Sequence, residues 1–406
     1  MTDAPLGGGG EGHAMRRWII GLWVAVLGAV SPAAAEPYIA VREGYKCSAC
    51  HVNMTGGGMR TSFVSAHARE ILHYPDWFAA LTKPAEAFTG EVNQYVSLGA
   101  DLRTSLTFIL QDNPGANGTV SNNDAFRWRL QQIDLSVNEA VGYLAVNLIP
   151  DLLLFYLDQR FAPTVDTREV WGMMYGPWDS YVKVGKMFLP YGLQIQNDSA
   201  FTRGGRNGSA TTGFSFNVSQ PAFELGWEPG PMSFAFAVSQ GVVNDRDVQI
   251  TGTDYFMFKD VPVVRNVLAG ISGSYNGGDT RTSWVGLFWG SNLGRFNYLG
   301  EVDFGYTSFP DSTLNRRVNT GLFQTYNEGN YLAFDWLNVK AAFQYADWDG
   351  TLPRQGSNGE NYFQIGLEPF LARFIQLRAF YTVGNGVATN PSHNQSLWSL
   401  EVHVFF

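Results

Sequence analysis

The chain has 406 residues, of which 45% are hydrophobic, 15% aromatic and only 16% charged, with 45 glycines and a mean hydropathy of −0.10. That aromatic content excludes intrinsic disorder, and the lack of any run of about 20 apolar residues after residue 35 excludes a polytopic helical membrane protein. Lys and Arg number 27 against 36 Asp and Glu, a net charge of −9, so there is no basic field for phosphates and no nucleic-acid partner is expected. Aromatics, glycine and uncharged polar residues together make the composition of a transmembrane β-barrel.

In chain order, Arg16 and Arg17 precede an apolar stretch from Trp18 to Val30, and Ala33 and Ala35 occupy the −3 and −1 positions of a cut before Glu36. A basic start, a short apolar run and an A-x-A site make an export signal over residues 1–35, too short to span a bilayer comfortably. Residues 1–14 carry no Lys or Arg and read as an upstream extension, with Met15 as the working start. The exported chain is expected to begin in an oxidising compartment.

The only two cysteines follow at once, in Cys47-Ser48-Ala49-Cys50-His51. Cys-x-x-Cys-His is the attachment pattern of c-type haem. Two thiols three residues apart add to two vinyl groups on one porphyrin edge, and the next residue, His51, supplies an axial nitrogen to the iron. The same spacing serves redox disulfides, but those sit in a βαβ setting that is absent here. One covalent haem c is therefore expected, with Cys47 and Cys50 binding the cofactor and His51 as the proximal iron ligand. For the sixth ligand the candidates are His67 first, then His73, Met59 and Met54, with an open position as the remaining alternative. A second His and a Met would give different potentials. Gly56-Gly57-Gly58 lacks the Lys-Ser/Thr of a phosphate loop and reads as a chain reversal beside the porphyrin. Arg42, Lys46 and Arg60 are candidates to pair with propionates.

Residues 36–90 form a unit too small for a sufficient core of its own, which a covalent haem would complete. From about residue 91 to 406 the pattern turns to period two. Short separators such as 139–142, 175–178, 228–231 and 291–294 take turns with long ones at 111–125, 189–219, 240–250, 307–317, 348–359 and 384–395. Short periplasmic turns opposite longer outer loops are the mark of an outer-membrane barrel, and the scheme yields about sixteen strands. In the last strand Trp398, Leu400, Val402, Val404 and Phe406 share one face, while Ser399, Glu401 and His403 point to a polar lumen. Trp171, Tyr175, Trp178, Trp284 and Trp289 stand where aromatic girdles sit. The fold class is thus all-β: a transmembrane antiparallel barrel with a small N-terminal haem unit, mainly helix and loop, as lumen plug.

The segment Glu36–Arg42, then Cys47–His51, Gly56–Gly58 and a barrel ending in Phe406 resembles the fused monohaem cytochrome–porins of the outer membrane. Val184-Gly185-Lys186-Met187-Phe188-Leu189-Pro190-Tyr191-Gly192-Leu193 is similar to a signature of phosphate-selective-type porins. The first resemblance implies an electron conduit of iron(II):cytochrome c oxidoreductase type, taking electrons from extracellular Fe(II) and giving them to a periplasmic electron-carrier cytochrome. Two other readings stand beside it: a diffusion porin with a haem-bearing gate or sensor, and outward electron transfer to extracellular acceptors. Candidate iron contacts are Asp245 and Asp247 in one loop and Asp347, Asp349 and Glu360 around another, since carboxylates suit hard cations. His393 is expected to be exposed in the last outer loop.

Overall fold

A computed structural model of the chain describes residues 36–72, 74–76, 88–112, 128–193, 200–203, 218–242, 244–311, 315–347, 359–385 and 395–406. The export segment 1–35, His73, Asp349 and His393 lie outside them. Sixteen strands run in order: β1 (Val96–Asp112), β2 (Trp128–Ile149), β3 (Leu153–Ala162), β4 (Asp166–Tyr175), β5 (Ser180–Met187), β6 (Gln220–Trp227), β7 (Met232–Gln240), β8 (Val248–Phe258), β9 (Asn266–Gly277), β10 (Arg281–Leu293), β11 (Phe296–Asp311), β12 (Arg316–Phe334), β13 (Leu337–Asp347), β14 (Gly359–Ala372), β15 (Ile375–Asn385) and β16 (Gln395–Phe405). Each pairs antiparallel with its sequence neighbours, and β1 pairs β16, Asp101 opposite Phe405 through Gln111 opposite Gln395, which closes the cylinder.

Period-two patterning decides which face meets what. Along β10, Val285 and Leu287 are about half exposed, whereas Trp284 and Phe288 on either side of them are buried inside. Leu130, Ile133, Leu135 and Val137 on β2 and Trp398, Leu400 and Val402 on β16 continue this apolar outer face. An exposed apolar band of that extent around a closed barrel matches a lipid surface, not water. The inner face carries charge in hydrogen-bonded sets: Arg168 pairs with Asp158 at 2.8 Å and with Glu139, and Lys183 with Glu224 at 2.8 Å. His403 is fully buried there, its ring nitrogens 3.2 Å from Gln376 and 3.5 Å from Asp101.

Three expectations need correction. Residues 139–142 do not turn; they lie inside β2, which runs unbroken to Ile149. Asn138 is bulged out opposite Arg103/Thr104, and Glu139 points inward to Arg103 and Arg168, so a charged lumen residue beside a bulge imitated a turn. Most of 307–317 is strand, β11 reaching Asp311 and β12 starting at Arg316. Trp171 and Trp284 belong to no girdle: both are buried on the lumen side, while Trp178 is 83% exposed at the β4–β5 turn.

The lumen is filled. Helices α1 (Pro37–Glu43), α2 (Cys47–Cys50), α3 (Ser62–Ala66) and α4 (Ala68–Leu72) precede the barrel. Tyr38, Ile39 and Val41 of α1 pack in one buried cluster with Leu268, Phe288, Leu299, Tyr326 and Phe405 from the wall. Met59, with Val52 and Met54 against it, packs in a second cluster with Val141, Tyr143, Tyr156 and Trp171 across the bore. Contact with walls on both sides places residues 36–72 inside the cylinder. From the opposite end the β5–β6 connection also folds in: Tyr191 donates to Asp303 at 3.0 Å, and the Leu193 amide donates to Glu301 at 3.0 Å.

Candidate haem-attachment site

The Cys-x-x-Cys turn is fixed by the wall. Lys46 Nζ donates to the Glu228 carbonyl at 2.7 Å and to the Met232 carbonyl at 3.2 Å, and pairs with the Glu228 carboxylate at 3.3 Å; Ser48 also donates to that carboxylate. The Cys47 amide donates to the Tyr255 hydroxyl at 3.1 Å. The β6–β7 turn and β8 therefore hold α2 from one side. After α2 the chain makes a small hairpin: His51 bridges Arg60, the Val52 amide donates to the Met59 carbonyl at 2.9 Å, and the Thr61 amide to the Cys50 carbonyl at 3.1 Å. Its reversal uses Gly56, Gly57 and Gly58 with φ of 97°, 78° and 65° in succession, a left-handed run that only glycine adopts without cost. The reversal read from the three glycines is present.

At its tip Asn53 donates to Glu169 at 3.3 Å and accepts from Lys183 at 3.0 Å, and the Met59 amide donates to the Tyr156 hydroxyl at 3.0 Å.

The geometry presents two unpaired thiols, Cys50 buried and Cys47 partly so. Burial pushes both thiols up, Cys50 to about 11, so neither is a thiolate at neutral pH. A redox-active pair works through a depressed thiol instead. His51 is buried, its Nδ1 has no hydrogen-bond partner among the described residues, and burial together with the Arg60 charge holds its pKa down at about 4. A neutral imidazole with a free ring nitrogen is a metal ligand in waiting. Arg60 is buried beside it, 4.1 Å over the Phe405 ring, and its Nε has no acceptor among the described residues. Burial lowers it to about 10, still charged at neutral pH.

Cys47, Cys50, His51, Gly56 and Gly57 line a partly open cleft with a cavity volume of about 60 Å³. Facing them are Val41 of α1, Tyr191 and Leu193 of the β5–β6 connection, and Tyr255, Met257, Leu268 and Phe288 of the barrel wall. Paired thiols, an imidazole with a bare Nδ1, a buried guanidinium with a bare Nε and an apolar lining are the side-chain set that a c-type haem uses. Cys47 and Cys50 would hold it by thioether bonds, His51 would ligate the iron, and Arg60 is the propionate partner that remains available. Arg42 and Lys46 are engaged elsewhere, Arg42 with Glu43 at 2.7 Å and with the Ile71 carbonyl.

The sixth-ligand candidates are scattered. His67 is exposed, its ring 4.5 Å from Phe63 and its Nδ1 2.9 Å from the Phe63 carbonyl. Met59 and Met54 sit in the cluster around Tyr156, and none of these three lines the cleft. The proposed iron contacts are no better gathered: Asp245 is exposed, Asp247 accepts from Asn276 at 3.0 Å, and Glu360 is buried. No group of three or more metal-binding side chains exists among the described residues. Sequence reasoning missed the wall half of the cleft. Its one signal was apolar Met257 on the lumen parity of β8, where polar residues belong.

No protein-family model matches the chain, and no curated protein matches its sequence. Solved structures do match its fold. OmpT of Vibrio cholerae superposes with a TM-score of 0.54 at 13% identity, covering 77% of this chain and 97% of that one. An anion-selective porin from Comamonas acidovorans gives 0.52 at 12% identity, over 77% and 99%. The outer-membrane channel DcaP of Acinetobacter baumannii gives 0.51 at 12% identity, over 77% and 97%. The chain has the sixteen-strand fold of outer-membrane porins.

Proposed function

We propose that this chain is a haem-carrying barrel of the bacterial outer membrane that moves electrons across it, with extracellular Fe(II) as the leading donor and a soluble periplasmic cytochrome as acceptor. The carrying observation is the placement of Cys47, Cys50 and His51, whose Nδ1 has no partner among the described residues, on one cleft inside the cylinder. When bound there, a c-type haem supplies reversible one-electron chemistry. The chain's own residues do the rest. The thiols would anchor the haem, the imidazole would ligate its iron, the Arg60 charge would balance a propionate, and the barrel wall would shield it from lipid. Tunnelling falls steeply with separation, and a site within the bore shortens the path across an apolar band about 25 Å tall. In the porin arrangement the short-turn end, where Lys46 and Ser48 meet Glu228, faces the periplasm.

The similar structures support the coarser half of this reading, an outer-membrane channel fold, and they favour the second reading, a diffusion porin gated by its plug, over electron transfer. The filled lumen favours the first. One experiment separates them. The protein is purified from the outer membrane, its mass determined, and the oxidised form mixed with Fe(II). A mass increased by one haem, rapid growth of the reduced α-band and its loss in His51→Ala are expected. An unmodified polypeptide, or a haem protein that Fe(II) leaves oxidised while bilayers containing it pass large ion currents, overturns the proposal.

A further inference from the structure

Among the described residues the cleft is lined by one imidazole, His51, and one thioether, Met257. We propose that Met257, on the barrel wall and not on the plug, is the sixth ligand of the haem iron. The inference rests on the haem reading above and adds the identity of the opposite ligand.

Four observations lead to it. Met257 is 5% exposed and faces the lumen, between the outward Phe256 and Phe258. Its neighbour on the same face of β8, Tyr255, accepts the hydrogen bond of the Cys47 amide at 3.1 Å. Residues two apart on a strand share a face about 7 Å apart, so the thioether stands one side-chain step from the attachment turn. The Met257 amide donates to the Pro231 carbonyl at 2.8 Å, which ties β8 to the same β6–β7 turn whose Glu228 clamps Lys46. Wall and plug are thereby held in one register. Finally, several of the other lining groups with oxygens are engaged: the Tyr255 hydroxyl with Cys47, the Tyr191 hydroxyl with Asp303 at 3.0 Å, Ser233 with Glu228 at 2.9 Å, Thr55 with Asn53 at 3.0 Å and Glu36 with Arg378 and Lys340. A thioether has no such commitment. It also suits iron as a soft axial ligand that raises the haem potential relative to a second imidazole. Met otherwise serves as an adaptable core filler, a role that predicts no spectral consequence on replacement.

A ligand from the wall would have a structural consequence as well. The iron would cross-link the plug to the barrel, so plug docking would depend on the ligand and not only on packing.

The test uses the full chain with haem attached, confirmed by mass for every variant, and barrel folding confirmed by heat-modifiable migration. The ferric wild type is expected to show the long-wavelength sulfur-to-iron charge-transfer band. Met257→Leu, a volume-conserving change, is expected to lose the band and shift the midpoint potential down. Met257→His is expected to restore a six-coordinate low-spin spectrum at a potential below the wild type. Met54→Leu, Met59→Leu and His67→Ala are expected to leave band and potential unchanged. A wild type lacking the band, a Met257→Leu protein that keeps it, or its loss in one of the other three variants overturns the assignment. If Met257→Leu fails to fold, an unaltered sulfur band in Met257→His does so equally. All these outcomes leave the haem reading standing, whereas an unmodified mass removes it.

Discussion

Glu36, the first residue after the expected signal cut, is the firmest electrostatic anchor of the plug. Its carboxylate pairs with Arg378 and lies 3.2 Å from Lys340. Burial alone would raise its pKa; the two cations overcome that and bring it from 4.5 to about 2. A depressed carboxyl stabilises the docked state above its free pKa and loses that contribution as pH falls through the docked one. The window is therefore pH 4.5 down to about 2, and the shift corresponds to about 3 kcal/mol. Hydrogen exchange at the amides of α1, corrected for intrinsic pH dependence, is expected to rise relative to β-strand amides as the pH is lowered through this window. Glu36→Gln is expected to weaken docking already at neutral pH, by about 3 kcal/mol, and to flatten the acid response. An unchanged profile in Glu36→Gln would show that the ion pairs carry nothing.

At the scale of elements, the hairpin 51–60 and the strands show what a sequence reveals and what it conceals. Gly56-Gly57-Gly58 announced a reversal because glycine alone tolerates consecutive positive φ. Within it the positions differ. A Cβ on Gly58 would collide with the Tyr156 hydroxyl, whereas one on Gly57 meets nothing within 4 Å. Gly57→Ala is expected to cost only the backbone term, about 1 kcal/mol. Gly58→Ala is expected to cost that and the Tyr156–Met59 hydrogen bond, about 2 kcal/mol together. The check is the unfolding midpoint of the plug followed by protease sensitivity of residues 36–72. Equal costs would show that Tyr156 yields.

The strands were legible because alternation follows from geometry, and about sixteen of them was the right number. The turn placed at 139–142 failed because Glu139 and a bulge break alternation just as a turn does. The motif side of the site was legible, since its chemistry is local to Cys47–His51. The opposite side was not: Met257 is more than two hundred residues further on, and alternation tells which face a side chain takes but not its height along the bore.

At the scale of the whole molecule, the barrel and its contents divide the labour. The cylinder is held by strand pairing all round, while the lumen is closed from one end by residues 36–72 and narrowed from the other by the segment around Tyr191 and Phe201. Among the described residues, buried acidic and basic side chains outside the plug are unequal in number, eleven to seven. A pore lined in that proportion concentrates cations. Deleting residues 36–90 removes the plug but no residue of β1–β16, so the barrel is expected to fold and to conduct in planar bilayers. Under a salt gradient its reversal potential is expected to show cation preference, with the full-length chain giving far smaller unit currents. A deletion that folds yet conducts no better than the full chain would mean that the inward β5–β6 segment alone closes the bore. The plug would then serve to hold the Cys47–His51 site at its depth, with no part in excluding ions.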